Sequence, residues 1–305
     1  MPAATTIRRL GEAGLIARAA WRFRRATSVL VGIGDDAAVL RRPSAGHLLL
    51  ASDMLIEDVH FRRAQLSPAW IGWKALACNI SDIAAMGGLP RWAVVSLGVP
   101  PNTPVRFTDG VSAGLARCAK RFGVAIVGGD TVRAPQVVLD VAILGTASPR
   151  HLTLRSGARV GDVLFVTGRL GGSYSSGRHA RFLPRLVEAQ ALVKRVRVHA
   201  MMDVSDGLAS DLWQMSRASR ATLRIDEAKI PVASSAGTVY HALHDGEDFE
   251  LLFAVGAREA GKVPRRIGSC PVTRIGRVTK RGIGVELQQG SGRISRLIPR
   301  GFKHF

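Results

Sequence analysis

Carboxylates in this sequence stand in short polar segments beside glycine or serine, where side-chain oxygens could gather around a cation. The six segments are Gly34-Asp35-Asp36, Ser52-Asp53, Ser81-Asp82, Gly128-Gly129-Asp130, Asp203-Val204-Ser205-Asp206-Gly207 and Gly246-Glu247-Asp248. Several of them follow apolar runs that predict strands, and strand ends in α/β proteins face the crevice where ligands bind. Oxygen ligands at such points suit Mg²⁺, which binds a few carboxylates together with substrate phosphates.

Each segment also has a purely structural interpretation. The pair Asp35-Asp36 could form a turn whose carboxylates bond the backbone, and Asp82 could be a solvated helix residue. Ser205 or Asp206 could cap the helix that follows. Six acid-bearing segments of one kind are hard to explain as six unrelated turns, so we favour a shared polar site.

Apolar runs and helix-period segments predict the elements that must position these side chains. The predicted strands are 29–33, 47–52, 93–99, 124–127, 137–145, 163–166, 200–204 and 249–255, and the predicted helices are 68–86, 106–122, 185–193 and 207–219. Ser67 and Pro68 form a favourable start for the first helix. We expect its Asn79 and Asp82 to point away from the apolar face that contains Leu76.

The order of these elements predicts an α+β protein of mixed α/β type with two domains. The N-terminal domain is expected to span residues 1–147 and the C-terminal domain residues 148–305. Ser148-Pro149 and Ser156-Gly157 interrupt the pattern near this boundary. The Gly- and Ser-rich segment 171–177 predicts a mobile loop inside the second domain.

Net charge is the unusual feature of the composition. The 305 residues include 43 Lys and Arg against 23 Asp and Glu, a formal charge of +20, while a hydrophobic fraction of 47% is ordinary for a globular chain. This surplus favours polyanionic partners, either nucleic acid or small phosphorylated ligands. The basic residues are spread along the chain without a basic tail, so we expect no nucleic-acid partner.

Other residue patterns exclude several classes of protein. There is no GxxxxGK[ST] loop, no GxGxxG after the first strand and no HRD or DFG motif. Cys78, Cys118 and Cys270 are isolated, which excludes a disulfide framework and a CxxC metal site. The first 25 residues lack the apolar core of a signal peptide, and no run is long enough to span a membrane. We expect a cytoplasmic protein without membrane partners.

In chain order, the polar segments resemble the motifs of the thiamine-monophosphate kinase family. The matching stretches are Val31-Gly-Ile-Gly-Asp-Asp-Ala-Ala-Val-Leu40, Asp53 with Val59-His60-Phe61, Lys74-Ala-Leu-Ala-Cys-Asn-Ile-Ser-Asp-Ile-Ala-Ala-Met-Gly87, Gly128-Gly-Asp-Thr131, Asp203-Val-Ser-Asp-Gly-Leu208 and Gly246-Glu-Asp-Phe-Glu-Leu251. The wider superfamily includes aminoimidazole ribonucleotide synthetase, selenophosphate synthetase and a hydrogenase maturation protein. The helix motif at 74–87 and the aromatic tail at 301–305 favour the thiamine member.

This resemblance implies ATP-dependent phosphorylation of thiamine phosphate to thiamine diphosphate, with ATP as co-substrate and several Mg²⁺ ions. It also implies an aminoimidazole ribonucleotide synthetase-like architecture. In it, N-terminal domains bind ATP and Mg²⁺ and pair in a homodimer, and the C-terminal domain completes the site. By match of motif, the implied metal ligands are Asp36, Ser52, Asp53, Asp82, Asp130, Asp203 and Asp206, the ATP contacts are Gly129, Asp130, Arg155 and Ser205, and the substrate contacts are His60, Glu247 and Phe302.

The chemistry of this reaction requires no general base. The attacking oxygen belongs to a phosphomonoester whose second pKa is about 6, so it is largely anionic at neutral pH. The problem is to bring two anions together, which calls for cations and for in-line positioning of the reacting oxygens. We therefore expect direct transfer without a phosphoenzyme and assign no catalytic residue beyond the ligands. Phe302 would face the cationic thiazolium ring.

Three positions depart from the family pattern. Ala51 stands where many members have Ser or Thr, Asp58 replaces a usual glycine, and Ser112 stands where a tyrosine near the nucleotide is common.

Three other functions are alternatives to thiamine phosphate phosphorylation. They are another small-molecule kinase or synthetase of the superfamily, a relative that binds nucleotide without turnover, and a basic nucleic-acid-binding protein. The last alternative leaves the acid-bearing segments unexplained.

Overall fold

A computed structural model describes residues 29–41 and 46–301, which form two β-sheets with helices packed against them. The first sheet has the strand order β1-β2-β3-β6-β4-β5. Its strands are β1 (Val29–Val31), β2 (Ala38–Arg41), β3 (His47–Ile56), β4 (Leu89–Val99), β5 (Ala125–Arg133) and β6 (Val138–Ala147). All neighbours are antiparallel except β4 and β5, which are parallel because helix α2 connects them.

Two helices, α1 (Pro68–Ala85) and α2 (Val105–Phe122), cover one face of this sheet. They cross closely because both have glycines at the contact: a Cβ on Gly72 would lie 2.0 Å from the Val111 carbonyl oxygen, and one on Gly114 would lie 1.9 Å from that of Ala69. The first helix is buried on nearly all sides, because the second domain packs against the surface that the first sheet and α2 leave free.

The opposite face of the first sheet is open. Every residue of β5 is exposed, and exposed apolar side chains lie on β3, β4 and β5. Those that strand pairing places on this face are Leu50, Met54, Trp92, Val94 and Val132. A patch of this kind on a sheet with an uncovered edge strand is typical of an interaction surface.

The second sheet has the order β14-β13-β9-β12-β7-β10-β8, with β11 paired to β12. Its strands are β7 (Val163–Thr167), β8 (Val198–Asp203), β9 (Ala221–Asp226), β10 (Leu251–Val255), β11 (Arg266–Ile267), β12 (Cys270–Arg281), β13 (Gly284–Gln288) and β14 (Ile294–Arg296). Only β13 and β9 are parallel within this sheet. The strand β10 is buried throughout, since apolar clusters pack on both of its faces.

Four further helices belong to this half of the chain: α3 (Leu186–Arg195), α4 (Leu208–Ser219), α5 (Val239–His244) and α6 (Ala257–Ala260). The core on one sheet face contains Leu208 and Leu212 of α4. The core on the other face contains Leu192 of α3 together with Ala84 and Ala85 from the end of α1. Helix α1 therefore belongs to the cores of both halves.

The α+β class and the positions of the four predicted helices are confirmed, and each of the eight predicted strands corresponds to an observed one, but the ends of several strands were wrong. Asp53 does not end its strand, since β3 continues to Ile56, and the expected turn at Gly128-Gly129-Asp130 lies inside β5. Asn79 is fully buried and donates to the Ala75 carbonyl oxygen at 3.1 Å, instead of facing a polar site. In the described part of the chain, no helix is both long and apolar enough to cross a membrane.

Candidate functional site

Three carboxylates from three separate elements meet where the two halves of the chain join. Asp36 lies in the connection between β1 and β2, Asp82 near the end of α1, and Asp203 at the end of β8. One carboxylate oxygen from each of them lies within 4.8 Å of the others. Asp53 of β3 extends this cluster, because its side chain hydrogen-bonds Asp82. Four predicted metal ligands are thus brought together.

Burial and repulsion between neighbouring charges make three of these carboxylates, Asp53, Asp82 and Asp203, hard to ionise. Burial, together with the charge of Asp36, raises the pKa of Asp203 to about 7. Burial, together with the charge of Asp36, raises the pKa of Asp53 to about 6. Burial, together with the charges of Asp53 and Asp203, raises the pKa of Asp82 well above its usual range. The Ser81 hydroxyl donates to Asp203 at 2.5 Å and offsets part of this effect.

One arginine compensates part of the negative charge. Arg155 Nη2 donates to Asp36 Oδ1 at 2.8 Å, its Nη1 donates to Gln214 Oε1 at 2.7 Å, and its backbone N–H reaches the carboxylate of Asp35 at 3.2 Å. The predicted ATP contact Arg155 therefore lies beside the carboxylates. The Asp35 carboxylate, which the prediction left out, holds the backbone of this segment.

A second group of acids lies behind the cluster, on and before α4. The predicted ligand Asp206 accepts a hydrogen bond from Gln214 Nε2 at 3.2 Å, and the fully buried Asp211 accepts one at 3.3 Å. Burial and the charge of Asp206 raise the pKa of Asp211 well above its usual range. Ser205, a predicted ATP contact, precedes Asp206 in the same loop.

This donor set fits divalent cations. Asp36 Oδ2 is buried without a hydrogen-bond partner among the described residues, and so is Asp211 Oδ2. Three carboxylate oxygens within 4.8 Å of one another repel unless protons or cations lie between them. Carboxylates are the ligands that Mg²⁺ takes alongside phosphate oxygens. The observed residues therefore match a magnesium site by chemistry as well as by spacing.

Three predicted site residues lie elsewhere in the chain: the metal ligands Ser52 and Asp130 and the ATP contact Gly129. Ser52 is exposed on the open face of the first sheet, where its hydroxyl donates to Asp140 at 3.0 Å. Strand pairing puts Asp140, Ser96 and Asp130 in one row across β6, β4 and β5. Gly129 adjoins this row, and a Cβ there would lie 1.8 Å from the Val95 carbonyl oxygen. Ser52, Gly129 and Asp130 are therefore not brought to the carboxylate cluster.

A buried lysine links two of the predicted substrate contacts. Lys74 of α1 is fully buried, and its ammonium group donates to the His60 carbonyl oxygen at 2.8 Å and to the Glu247 carboxylate. The His60 ring accepts the Ile56 N–H at Nδ1, at 3.0 Å. His60 belongs to the loop after β3 and Glu247 to the turn before β10, so Lys74 joins the two halves of the chain.

The turn that presents Glu247 has a constrained backbone. Glu247 and Phe249 both have positive φ, 53° and 50°, a region that side chains other than glycine occupy at a cost. The surrounding structure holds this turn: Asp248 accepts two bonds from the Gly171 N–H at 2.9 and 3.0 Å and pairs with Arg178, and Glu250 accepts from Arg185 at 2.6 Å.

The segment 171–177, which was predicted to be a mobile loop, makes several hydrogen bonds to the rest of the protein. The Gly172 N–H donates to Asp245 at 2.8 Å, and the Tyr174 hydroxyl donates to Gln65 of the first half at 2.7 Å. The Tyr174 ring also stacks on His179, with the ring centroids 4.8 Å apart. The segment connects the loop before α1 to the Glu247 turn through these contacts.

Sequence reasoning missed Lys74 and Ser81 as site residues, although a signal was present. Positions 74, 78, 81 and 82 lie on one face of a helix. A lysine, a serine and an aspartate on one face of a largely apolar helix indicate a polar surface. Asp58 has φ 65°, which explains why a glycine is usual there. The predicted contact Phe302 lies outside the described residues.

Comparison with known proteins agrees with this architecture. Two family models match the chain: "AIR synthase related protein, N-terminal domain" over residues 34–147 and "AIR synthase related protein, C-terminal domain" over residues 159–288. The fold and the carboxylate site thus define a two-domain protein of the AIR synthase related class.

Relatives that match over nearly their whole length show which family within this class the chain belongs to. The thiamine-monophosphate kinase of Rhodopirellula baltica is 40% identical over 96% of this chain and 97% of its own length, and that of Bacillus subtilis is 35% identical over 92% and 94%. The structure described as AaThiL complexed with AMPPCP and TMP has a TM-score of 0.86 at 30% identity, covering 99% of this chain and all of the other. The chain belongs to the thiamine-monophosphate kinase family.

Proposed function

We propose that this protein transfers the γ-phosphoryl group of ATP to thiamine phosphate, giving thiamine diphosphate and ADP. The observation that carries the proposal is the cluster of Asp36, Asp82 and Asp203 at the junction of two AIR synthase related domains. Support comes from 40% sequence identity to a thiamine-monophosphate kinase over nearly the full length of both chains. The structural likeness to a relative in complex with AMPPCP and TMP supports it as well.

Asp36, Asp53, Asp82 and Asp203 would hold Mg²⁺, with Asp206 beside them. When bound, the ions supply positive charge that neutralises the phosphates of ATP and stabilises the charge that develops during transfer. In the chain itself, the carboxylates must be ionised for this purpose. Their raised pKa values therefore describe the metal-free protein.

The remaining site residues bind and orient the substrates. The guanidinium group of Arg155 lies against Asp36, where it can donate charge-assisted hydrogen bonds to a triphosphate. His60 and Glu247, fixed by Lys74, would hold thiamine phosphate. Because the attacking phosphate oxygen is already anionic, these residues need only position it for direct in-line transfer.

The test is a coupled assay of the purified protein with ATP, Mg²⁺ and thiamine phosphate, which should yield ADP and thiamine diphosphate. Replacing Asp53 with Asn should lower kcat by roughly a thousandfold, since a charged ligand of the metal cluster is lost. Asp109→Asn is the matched control, because Asp109 is exposed on α2.

Absence of turnover with thiamine phosphate, combined with intact ATP binding, would favour another ATP-dependent kinase or synthetase of the superfamily. A radioactive phosphoaspartate recovered from the reaction would contradict direct transfer. Equal activity of Asp53→Asn and Asp109→Asn would contradict the role of the cluster.

We further propose that the protein is a homodimer paired through the open face of the first sheet. The exposed apolar side chains on β3, β4 and β5 support this, as does the fully exposed edge strand β5. The same pairing would cover Ser52 and Asp130, which lie on that face away from the carboxylate cluster.

Replacing Val94 with Glu should convert the dimer into a monomer, because an exposed apolar side chain on the open face becomes a charge at the centre of the contact. Sedimentation velocity would measure the change in mass. Val105→Glu, at a more exposed position at the start of α2, is the control and should leave the mass unchanged. A monomeric native protein, or a dimeric Val94→Glu variant, would overturn the proposed pairing.

We also propose a cytoplasmic location. Cys78, Cys118 and Cys270 are buried free thiols, which suits a reducing compartment. The proposed reaction also fits a cytoplasmic location, because it consumes ATP.

A further inference from the structure

A cavity outside the carboxylate site lies between the segment that links the two sheets and the end of α3. It has a volume of about 600 Å³ and is lined by residues of 149–159 and 193–199. Volumes of 300–1,000 Å³ are usual for sites that bind small molecules. The guanidinium group of Arg155, on the same linking segment, is directed to Asp36 and is not part of the lining.

The lining of this cavity is strongly basic. Arg150, Arg159, Lys194, Arg195 and Arg197 all line it. The partly buried rings of His151 and His199 add two further nitrogen-bearing side chains. Among the described residues that form the wall there is no carboxylate and no Phe, Tyr or Trp. The cavity therefore has the charge to attract anions and no aromatic ring on which a base or another planar group could stack.

Most of these cations are not used by the fold. Elsewhere in the second half, Arg178, Arg185 and Arg224 are each paired with a carboxylate. In the cavity, Arg195 donates from Nε to the Lys262 carbonyl oxygen at 2.8 Å. The side chains of the other four cations make no hydrogen bond or ion pair within the described part of the chain. Four positive charges around one cavity repel each other, and a bound anion would relieve that repulsion.

The neighbouring carboxylates are already engaged. Asp162 accepts from the Arg159 N–H at 2.8 Å and contacts the His199 Nδ1 at 2.9 Å. Glu259 accepts from the Arg197 N–H at 2.8 Å and pairs with Lys262. Both acids bond backbone N–H groups of the cavity segments and thereby hold those segments in place, while the guanidinium groups of Arg159 and Arg197 stay available.

We propose that this cavity binds a compact polyphosphate, either inorganic or the phosphate chain of a nucleotide. Polyphosphates concentrate several charges in a small volume, and guanidinium forks match phosphate oxygens in geometry. The lack of an aromatic wall means that recognition is of the phosphates alone. The site holds the anion directly with cations, unlike the carboxylate cluster, which repels anions without metal. The inference does not depend on the proposed kinase activity.

The test uses sodium tripolyphosphate in isothermal titration calorimetry, with EDTA present so that the carboxylate cluster cannot bind phosphate through metal. The native protein should bind one tripolyphosphate per chain, ATP with similar strength, and AMP much more weakly. A variant with four substitutions in the cavity should bind tripolyphosphate at least roughly tenfold more weakly, since several charge-assisted contacts are lost. Its substitutions are Arg150→Gln, Arg159→Gln, Lys194→Gln and Arg197→Gln.

The control variant removes the same charge from exposed positions outside the cavity. Its substitutions are Arg106→Gln, Lys120→Gln, Arg281→Gln and Arg293→Gln. It should change the affinity by less than about threefold, the effect of distant surface charge. Thermal unfolding of both variants checks that they fold.

Four outcomes would overturn the proposal, and the first three concern specificity. They are equal loss of affinity in both variants, which shows unspecific attraction by net charge; AMP binding as tightly as tripolyphosphate; and preference for a short DNA or RNA duplex over tripolyphosphate. Native protein that binds no tripolyphosphate in EDTA would overturn it as well.

Discussion

Asp203→Asn is expected to stabilise the metal-free protein while it abolishes phosphoryl transfer. In the metal-free fold, burial and the charge of Asp36 raise the pKa of Asp203 to about 7 from an ordinary value of 3.8. Ionised Asp203 therefore opposes folding at neutral pH. A neutral amide of the same shape removes that charge, and one pKa unit corresponds to about 1.4 kcal/mol. We expect a gain of about 2 kcal/mol in the free energy of unfolding at pH 7.5 in EDTA.

The raised pKa of Asp203 also sets the direction in which the stability of the metal-free protein changes with pH. A raised pKa means that the folded protein retains a proton that the unfolded chain releases, so the stability of the metal-free protein should fall as pH rises from about 4 to 7. The pKa of Asp53, raised to about 6, contributes in the same direction. Mg²⁺ should reverse this slope, because the ionised carboxylates bind the metal.

Thermal unfolding across this pH range, with EDTA or with Mg²⁺, measures both effects. Asp109→Asn, on the surface of α2, should follow the native protein. If Asp203→Asn lowers the unfolding temperature in EDTA at every pH, repulsion within the cluster is not the dominant effect. If it retains activity with Mg²⁺, Asp203 is not a required ligand.

Lys74→Met is expected to raise the KM for thiamine phosphate by at least roughly tenfold while the KM for ATP changes by less than about threefold. Lys74 is the buried donor to both the His60 carbonyl oxygen and the Glu247 carboxylate. Without it, both groups lose a partner, and Glu247 keeps a charge that burial disfavours. We expect a loss of stability of about 2 kcal/mol, because Glu247 is partly exposed and water screens it.

A double variant separates positioning from packing. Lys74→Met with Glu247→Gln should be more stable than Lys74→Met alone, since the uncompensated charge is gone, but its KM for thiamine phosphate should stay high. Lys120→Met removes an exposed lysine of α2 and is the control. Equal increases of both KM values, or lost stability with an unchanged KM for thiamine phosphate, would show that Lys74 is only structural.

The sequence alone predicted the fold class, the four main helices and most of the carboxylates that form the cluster. These features depend on helical periodicity and on acids that stand beside glycine or serine, which are local properties of the chain. Sequence reasoning missed the short strands β13 and β14 and the long strand β12. These segments are rich in turns and arginine and lack the apolar runs that indicate strands.

The errors have a common cause in contacts between distant segments. Asp53 was expected at a strand end, but pairing with β6 extends β3 beyond it. Gly129 and Asp130 were expected in a turn, but pairing with β4 keeps them in a strand. The link from Lys74 to Glu247 joins residues 173 positions apart, and no local pattern could indicate it.

Helix α1 supplies Ser81 and Asp82 to the polar site, and its other residues form the centre of two hydrophobic cores. Selection for activity and selection for folding therefore act on the same short stretch of chain. A substitution that adjusts the site from this helix also disturbs packing on both sides of it. Change in substrate preference during evolution is consequently easier from the β3–α1 loop and the Glu247 turn, and α1 should tolerate few substitutions.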